Sequence, residues 1–124
     1  MAAPNIVNVS SIYGKTMGAA LGTNVNADIL TNSSGSGKLF KINSIIVANV
    51  DGTNSCNTTV KFYDHSTATP YTLAATVVVP AKSTLIVLGK DAPIYLEEGD
   101  IIRGGASAAS DLEIIISYEE LDDA

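Results

Sequence analysis

The stretch IYLEEGDIIRGGASAASDLEIIISYEE, residues 94–120, decides how this chain is expected to fold. It contains a short strand (94–96), an acidic Glu-Glu-Gly-Asp turn, a second strand (100–103), a loop of small residues and a long strand (112–118). Its apolar runs are rich in isoleucine, and stiff β-branched side chains fit a pleated sheet better than a helix. No catalytic arrangement of side chains lies within it. The stretch therefore predicts compact β structure built for packing.

The same alternation of strands and turns continues toward the N-terminus. Further strands are predicted at residues 28–31, 39–50, 58–64, 71–79 and 84–88, with Phe40, Ile42, Ile46 and Val50 on one face of the second of these. About eight strands and no amphipathic helix result. We expect an all-β fold over residues 31–124, an antiparallel β-sandwich of the jelly-roll type, with a closed barrel as the alternative.

Residues 1–30 differ from the rest of the chain. A strand is predicted at residues 6–12, and Gly14, Gly18 and Gly22 then follow at every fourth position. Because glycine is a poor helix former, this segment is expected to be irregular or extended. We therefore predict an N-terminal strand and extended arm over residues 1–30, distinct from the sandwich.

Composition excludes several classes of function. The 124 residues suit one domain, and no apolar run is long enough to span a membrane as a helix. No basic start followed by an apolar core is present, so secretion by a signal peptide is not expected. The net charge of −6 opposes binding to nucleic acid or to anionic lipid. The single cysteine, Cys56, excludes an internal disulfide.

Three groups of polar residues are candidate phosphate-binding, catalytic or calcium sites. Residues 32–39, NSSGSGKL, lack the first glycine and the final hydroxyl of a phosphate-binding loop. His65 adjoins Asp64 and Ser66, but neighbouring residues in a strand point to opposite faces. The acids at residues 97–100 lack the spacing of a helix-loop-helix calcium site, and those at 119–123 are expected to form an acidic tail that is solvated or pairs with a basic patch on a partner. We expect no enzyme activity, no catalytic residue, no metal ligand and no cofactor.

Several predicted strands are apolar on both faces. These runs lie at residues 45–47, 77–79, 85–88 and 114–116. Burial of apolar surface contributes about 25 cal/mol per Å², so exposing one face of these runs to solvent would forgo several kcal/mol of stabilisation. Either the N-terminal arm or another subunit must cover them, so we expect a homo-oligomer, with a trimer favoured. The candidate interface residues are Ile6, Val7, Val9, Ile12, Tyr13, Met17, Leu21, Val78, Leu85, Val87 and Ile115.

Four segments carry a resemblance to a known class of proteins. They are KINSIIVANVDG (residues 41–52), YLEEGD (95–100), ASAASDLE (106–113) and ISYEE (116–120). In these the chain resembles small β-structured virion proteins of tailed bacteriophages, over about its last two-thirds. The resemblance implies a capsid decoration or cement protein that sits in the virion, after synthesis in the host cytoplasm, and binds the major capsid protein. Alternatives are a tail, fibre or head-tail connector component, or a lectin-like jelly roll that binds host glycans.

Overall fold

A computed structural model of the protein describes residues 9–123, except for the side chain of Asp123. Nine strands make up this part of the chain. They are β1 (Val9–Ala20), β2 (Asp28–Thr31), β3 (Lys38–Asn49), β4 (Cys56–Asp64), β5 (Thr69–Val79), β6 (Thr84–Leu88), β7 (Ile94–Leu96), β8 (Ile101–Ala106) and β9 (Leu112–Asp123).

The strands form two antiparallel sheets. Sheet A has the order β1-β9-β3-β6, with β7 also pairing to β3, and sheet B has the order β2-β8-β4-β5. The chain changes sheet at nearly every connection, and of the consecutive strands β4 and β5 form a hairpin within one sheet. This is the connectivity of a jelly roll, in which β6 and β7 share one edge position. The predicted β-sandwich is confirmed.

The core lies between the two sheets and joins both. Its fully buried side chains include Ile42, Ile114 and Ile116 from sheet A, and Val60 and Ile102 from sheet B. Each strand contributes alternate residues to this layer, because successive side chains of a strand point to opposite faces. The packing of alternate positions leaves the other half of each strand facing outward.

A β-bulge changes which residues of β3 face inward. Phe40 and Ile42 are buried, but the register with β9 shifts between Ile42 and Ser44. Ile45 is then buried, Ile46 turns outward and Val50 is 55% exposed, so the prediction that Ile46 and Val50 share a face with Phe40 was wrong. One extra residue reverses the alternation of every residue that follows it.

The segment predicted as irregular or extended, residues 14–22, is extended and lies largely in a regular strand. β1 pairs with β9 from Val9↔Asp123 to Ala20↔Glu113 and is an edge of sheet A. Tertiary pairing thus outweighs the weak strand propensity of its glycines. The boundary between an N-terminal arm (residues 1–30) and the sandwich (31–124) stays a prediction. Residues 6–8 of the first predicted strand lie outside the described residues.

The acidic segment at residues 119–123 also differs from its predicted state. It continues strand β9 rather than forming a solvated tail, and it pairs with both β1 and β3. Its Glu120 is buried, with 6% of its surface exposed. The carboxylate is accommodated because two lysines on the neighbouring strands contact it.

Candidate assembly surface

The outward side of sheet A, here called the A face, is formed by residues whose neighbours along each strand point into the core. Strand register places these residues in rows that cross the sheet. The A face comprises Thr16, Gly18, Ala20, Lys41, Ser44, Ile46, Ala48, Thr84, Ile86, Glu113, Ile115, Ser117 and Glu119.

One apolar row crosses all four strands of the A face. Gly18 pairs with Ile115, Ile115 with Ile46, and Ile46 with Ile86. Ile86 is 67% exposed and Ile115 is 37% exposed, whereas Ile46 is half-buried between them. We call these four residues the isoleucine row. Its members present aligned aliphatic surface to solvent, a feature that marks an interaction site more often than scattered apolar residues do.

Small and hydroxylated side chains flank the isoleucine row. On one side the next outward positions are Thr16 and Ser117, whose hydroxyl oxygens lie 3.3 Å apart. Beyond them Lys41 and Glu119 form an exposed ion pair at 3.9 Å. The face therefore changes from apolar to charged along the strand direction.

The edge strand β1 is fixed to the sheet by a buried carboxylate. Lys15 Nζ donates to Oε1 of Glu120 and Lys38 Nζ donates to its Oε2, both at 3.2 Å. Burial by itself raises the pKa of Glu120, but the two lysine hydrogen bonds outweigh burial and hold this pKa below its usual 4.5. The hydrogen bond to Glu120 also raises the pKa of Lys15 above its usual 10.5.

The outward side of sheet B, here called the B face, is covered over strand β8 by other parts of the chain. The loop between β1 and β2 lies on strand β8, where a Cβ atom on Gly105 would meet the Asn24 carbonyl oxygen at 2.6 Å. Beside it, Arg103 donates to Asp28 Oδ1 at 2.8 Å and stacks over the Tyr63 ring at 4.2 Å. Backbone and charged groups thus cover strand β8 of the B face, whereas Val78 on the edge strand β5 is 56% exposed.

The predicted interface residues fall into three groups. Ile12, Tyr13, Val78 and Ile115 are exposed, whereas Val9, Met17, Leu85 and Val87 are half-buried. Met17, Leu85 and Val87 pack against the core, and Leu21 is a core residue with 1% of its surface exposed. We therefore assign Leu21 to the core, which corrects its place among the interface candidates. Ile6 and Val7 lie outside the described residues.

Ile86 and Ile46 were not among the predicted interface residues. Both lie in apolar runs that the sequence identified, but the outward positions of those runs were not deducible from periodicity. In β6, Leu85 pairs with the buried Val47 and so faces inward, which leaves Ile86 outside. Where every residue of a run is apolar, only the pairing with a neighbouring strand reveals which residues face out.

The acidic turn between β7 and β8 has a structural role. Asp100 is 1% exposed, and its two carboxylate oxygens accept hydrogen bonds from the backbone N–H groups of His65 and Glu97, each at 2.9 Å. Within residues 9–123 no group of three or more His, Cys, Asp or Glu side chains is placed to hold a metal ion. The carboxylate of Asp100 therefore ties two loops together.

The other candidate polar residues also make hydrogen bonds or packing contacts with neighbouring residues. The Ser66 hydroxyl donates to Asp64 at 2.7 Å, which lowers the pKa of Asp64, and the His65 ring lies against Gly99. Asn32 is fully buried and donates to the carbonyl oxygens of Lys38 and Leu96, at 2.8 and 2.9 Å.

The loop after Asn32 is closed in the same way. The Gly37 N–H donates to the Glu98 carboxylate at 2.6 Å, so it is not directed at a phosphate.

Cys56 is buried, with its sulfur 3.3 Å from the Ser107 hydroxyl oxygen. The described chain also has no helix long and apolar enough to cross a membrane.

Comparison with solved structures identifies a similar fold in an appendage protein. The structure reported under the description "Bacillus endospore appendages form a novel family of disulfide-linked pili" matches with a TM-score of 0.52 and 18% sequence identity. The match covers 92% of this chain and 90% of that one. At such low identity the likeness establishes the fold alone. No protein-family model matches the sequence, and no curated protein matches it either.

Proposed function

We propose that this protein is a structural, non-catalytic subunit of a multi-copy assembly. In its finer form the proposal is a decoration or cement protein of a tailed bacteriophage, bound to the major capsid protein on the head shell of the virion. The observation that carries the proposal is the contrast between the two outer faces. Strand β8 of the B face is covered by the chain itself, whereas the A face presents an aligned apolar row with no covering segment among the described residues.

A structural role agrees with how the polar groups are used. The buried acids and amides, Asp100, Glu120 and Asn32, all bond to backbone groups or to lysines that fix the sheets and loops. A catalytic site needs a group within reach of a substrate, with its pKa tuned to that task. The described acids whose pKa departs from its usual value instead sit in turns or in the β1–β9–β3 ion pairs.

Assembly on a shell would multiply weak contacts. Many copies placed by the symmetry of a shell act at high effective concentration, so a modest interface per copy gives strong total binding. The resemblance of residues 41–52 and 95–120 to phage virion proteins is the reason for choosing a head shell as the site.

A second candidate is a subunit of a filamentous appendage. The observation that favours it is the fold shared with the Bacillus appendage structure. That protein is described as disulfide-linked, whereas the single cysteine of this chain is 2% exposed and paired with Ser107. A filament of this chain would therefore be held together by non-covalent contacts between surfaces that do not include Cys56.

The test uses phage heads prepared without the protein. Purified protein is added, the heads are sedimented, and bound protein and resistance of the heads to heating are measured. Saturable binding and a higher melting temperature of the heads are expected. Absence of binding at hundred-micromolar protein would overturn the head-shell proposal, and long filaments of the protein alone in electron micrographs would establish the second candidate instead.

A further inference from the structure

We propose that the A face is where two copies of this chain pack face to face, around a two-fold axis that runs along the strands between β9 and β3. The inference rests on the proposed assembly role and names the partner of that surface, a second copy. Its grounds are the shape, the charge pattern and the area of the A face.

The isoleucine row is complementary in shape to the same row of a second copy placed in the opposite order. The row reads Gly18, Ile115, Ile46, Ile86 at successive strands, which are about 4.8 Å apart. A two-fold axis between β9 and β3 reverses this order in the second copy. Ile86 then faces Gly18 of the partner subunit, and Ile115 faces Ile46 of the partner subunit.

The two ends of the row are a projection and a hollow. Ile86 is the most exposed large apolar side chain among the described residues, at 67%. Gly18 has no side chain, and a hollow of about 360 Å³ lies beside it, lined also by Ala20, Glu113 and Ile115. Two-fold packing places one projection in each hollow, as ridges fill grooves in packed interiors.

One pair of opposite charges on the A face also matches across the same axis. Lys41 and Glu119 lie opposite each other on β3 and β9, with 36% and 39% of their side chains exposed. Because the axis exchanges the positions of β3 and β9, Glu119 of each copy faces Lys41 of the partner subunit. The result is a cluster of four charges in alternating sign, which favours this register over others.

The area of the A face indicates the expected affinity, and its self-complementarity indicates the number of copies. Three strands of about eight residues and the five-residue β6 cover roughly 450 Å² per copy, so a pair buries roughly 900 Å², just below the usual lower limit of about 1,000 Å² for a specific interface. We therefore expect micromolar dissociation. A face that closes on itself is satisfied by two copies, not by the three favoured from sequence, because a self-complementary patch gives two-fold symmetry.

The first experiment compares matched substitutions on the two faces by sedimentation of protein from one to several hundred micromolar. Ile86→Asp changes the A face, and Val78→Asp changes an exposed valine at the edge of the B face. Wild-type protein and V78D are expected to dimerise alike, and I86D to dimerise at least ten-fold more weakly. A monomeric or trimeric wild type, or equal effects of the two substitutions, would overturn the proposal.

The second experiment tests the cross-axis charges directly. Lys41→Glu alone and Glu119→Lys alone each place like charges across the axis, so each variant is expected to self-associate more weakly than the wild type. Mixed together, they restore both opposite-charge contacts across the axis, so a mixed dimer of K41E with E119K is expected to form preferentially. Equal amounts of mixed and like dimers would overturn the proposed register. Binding of the same variants to phage heads is measured separately, because head binding by a protein that never dimerises would overturn this inference and leave the proposed function standing.

Discussion

Strand β8 of the B face is covered by residues of the same chain, whereas the A face presents three isoleucines to solvent. Both faces belong to four-position antiparallel sheets, and they differ in what lies on them. On sheet B the β1–β2 loop covers Gly105, and Arg103 contacts both Asp28 and Tyr63. On sheet A a Cβ atom on Gly18 would make only ordinary contacts with Ile114 and Ile115. A jelly roll can therefore cover part of one outer face with its own loops and leave the other face uncovered.

The largest difference is expected between the two glycines. In Gly105→Val the added Cβ would lie 2.6 Å from the Asn24 carbonyl oxygen, so the loop must move, and we expect a loss of about 2–3 kcal/mol of unfolding free energy. Gly18→Val meets no atom closer than 3.8 Å at its Cβ and is expected to change stability by less than about 0.5 kcal/mol. Urea denaturation of both variants measures this, and equal losses would contradict the contrast between the faces.

The charged groups provide the next comparison. Arg103→Ala removes a hydrogen bond to Asp28 at 2.8 Å and the stacking over Tyr63, and is expected to cost about 1–2 kcal/mol. Lys41→Ala removes an exposed pair at 3.9 Å and is expected to cost less than about 0.5 kcal/mol. Thermal melting of dilute, monomeric protein gives both values. A larger effect of K41A would mean that the A face is also held by its surface charges.

The edge of sheet A is expected to respond to pH through Glu120. Its pKa in the folded protein lies below the usual 4.5, so the charged form stabilises the fold above that value, and this stability is lost as pH falls through the lower folded-state pKa. Glu120→Gln cannot titrate and is expected to remove about 1 kcal/mol near neutral pH. Denaturation series between pH 3 and 7 should show a smaller loss toward acid for E120Q than for the wild type. Identical slopes would show that Glu120 does not carry the effect.

The smallest effect on the isolated subunit is expected at the row itself. Ile86 is 67% exposed, so Ile86→Thr removes little buried surface and should change the unfolding free energy of the monomer by less than about 0.5 kcal/mol. The matched change on the B face, Val78→Thr, should behave in the same way. A loss above 1 kcal/mol in I86T at micromolar concentration would mean that the side chain packs within its own subunit.

Much of the fold was accessible from the sequence because local signals agreed with one another. The strands predicted at residues 28–31, 84–88 and 94–96 match β2, β6 and β7 to the residue. Turn residues mark their ends, and β-branched runs mark their interiors. The candidate surface was harder to predict, because an apolar run such as residues 85–88 does not reveal which of its residues face outward.

The sequence by itself determined that this chain is an all-β sandwich with more apolar strand surface than one core can use. That information is local, since it lies in side-chain branching, turns and alternation along the chain. Only the tertiary structure decided which apolar residues remain outside. The bulge after Ile42 turns Ile46 outward, and pairing between distant strands aligns it with Ile86 and Ile115. The β1–β2 loop covers strand β8 of sheet B, and no described segment covers the outer side of sheet A. These features depend on register and long-range pairing, which the chain acquires only on folding.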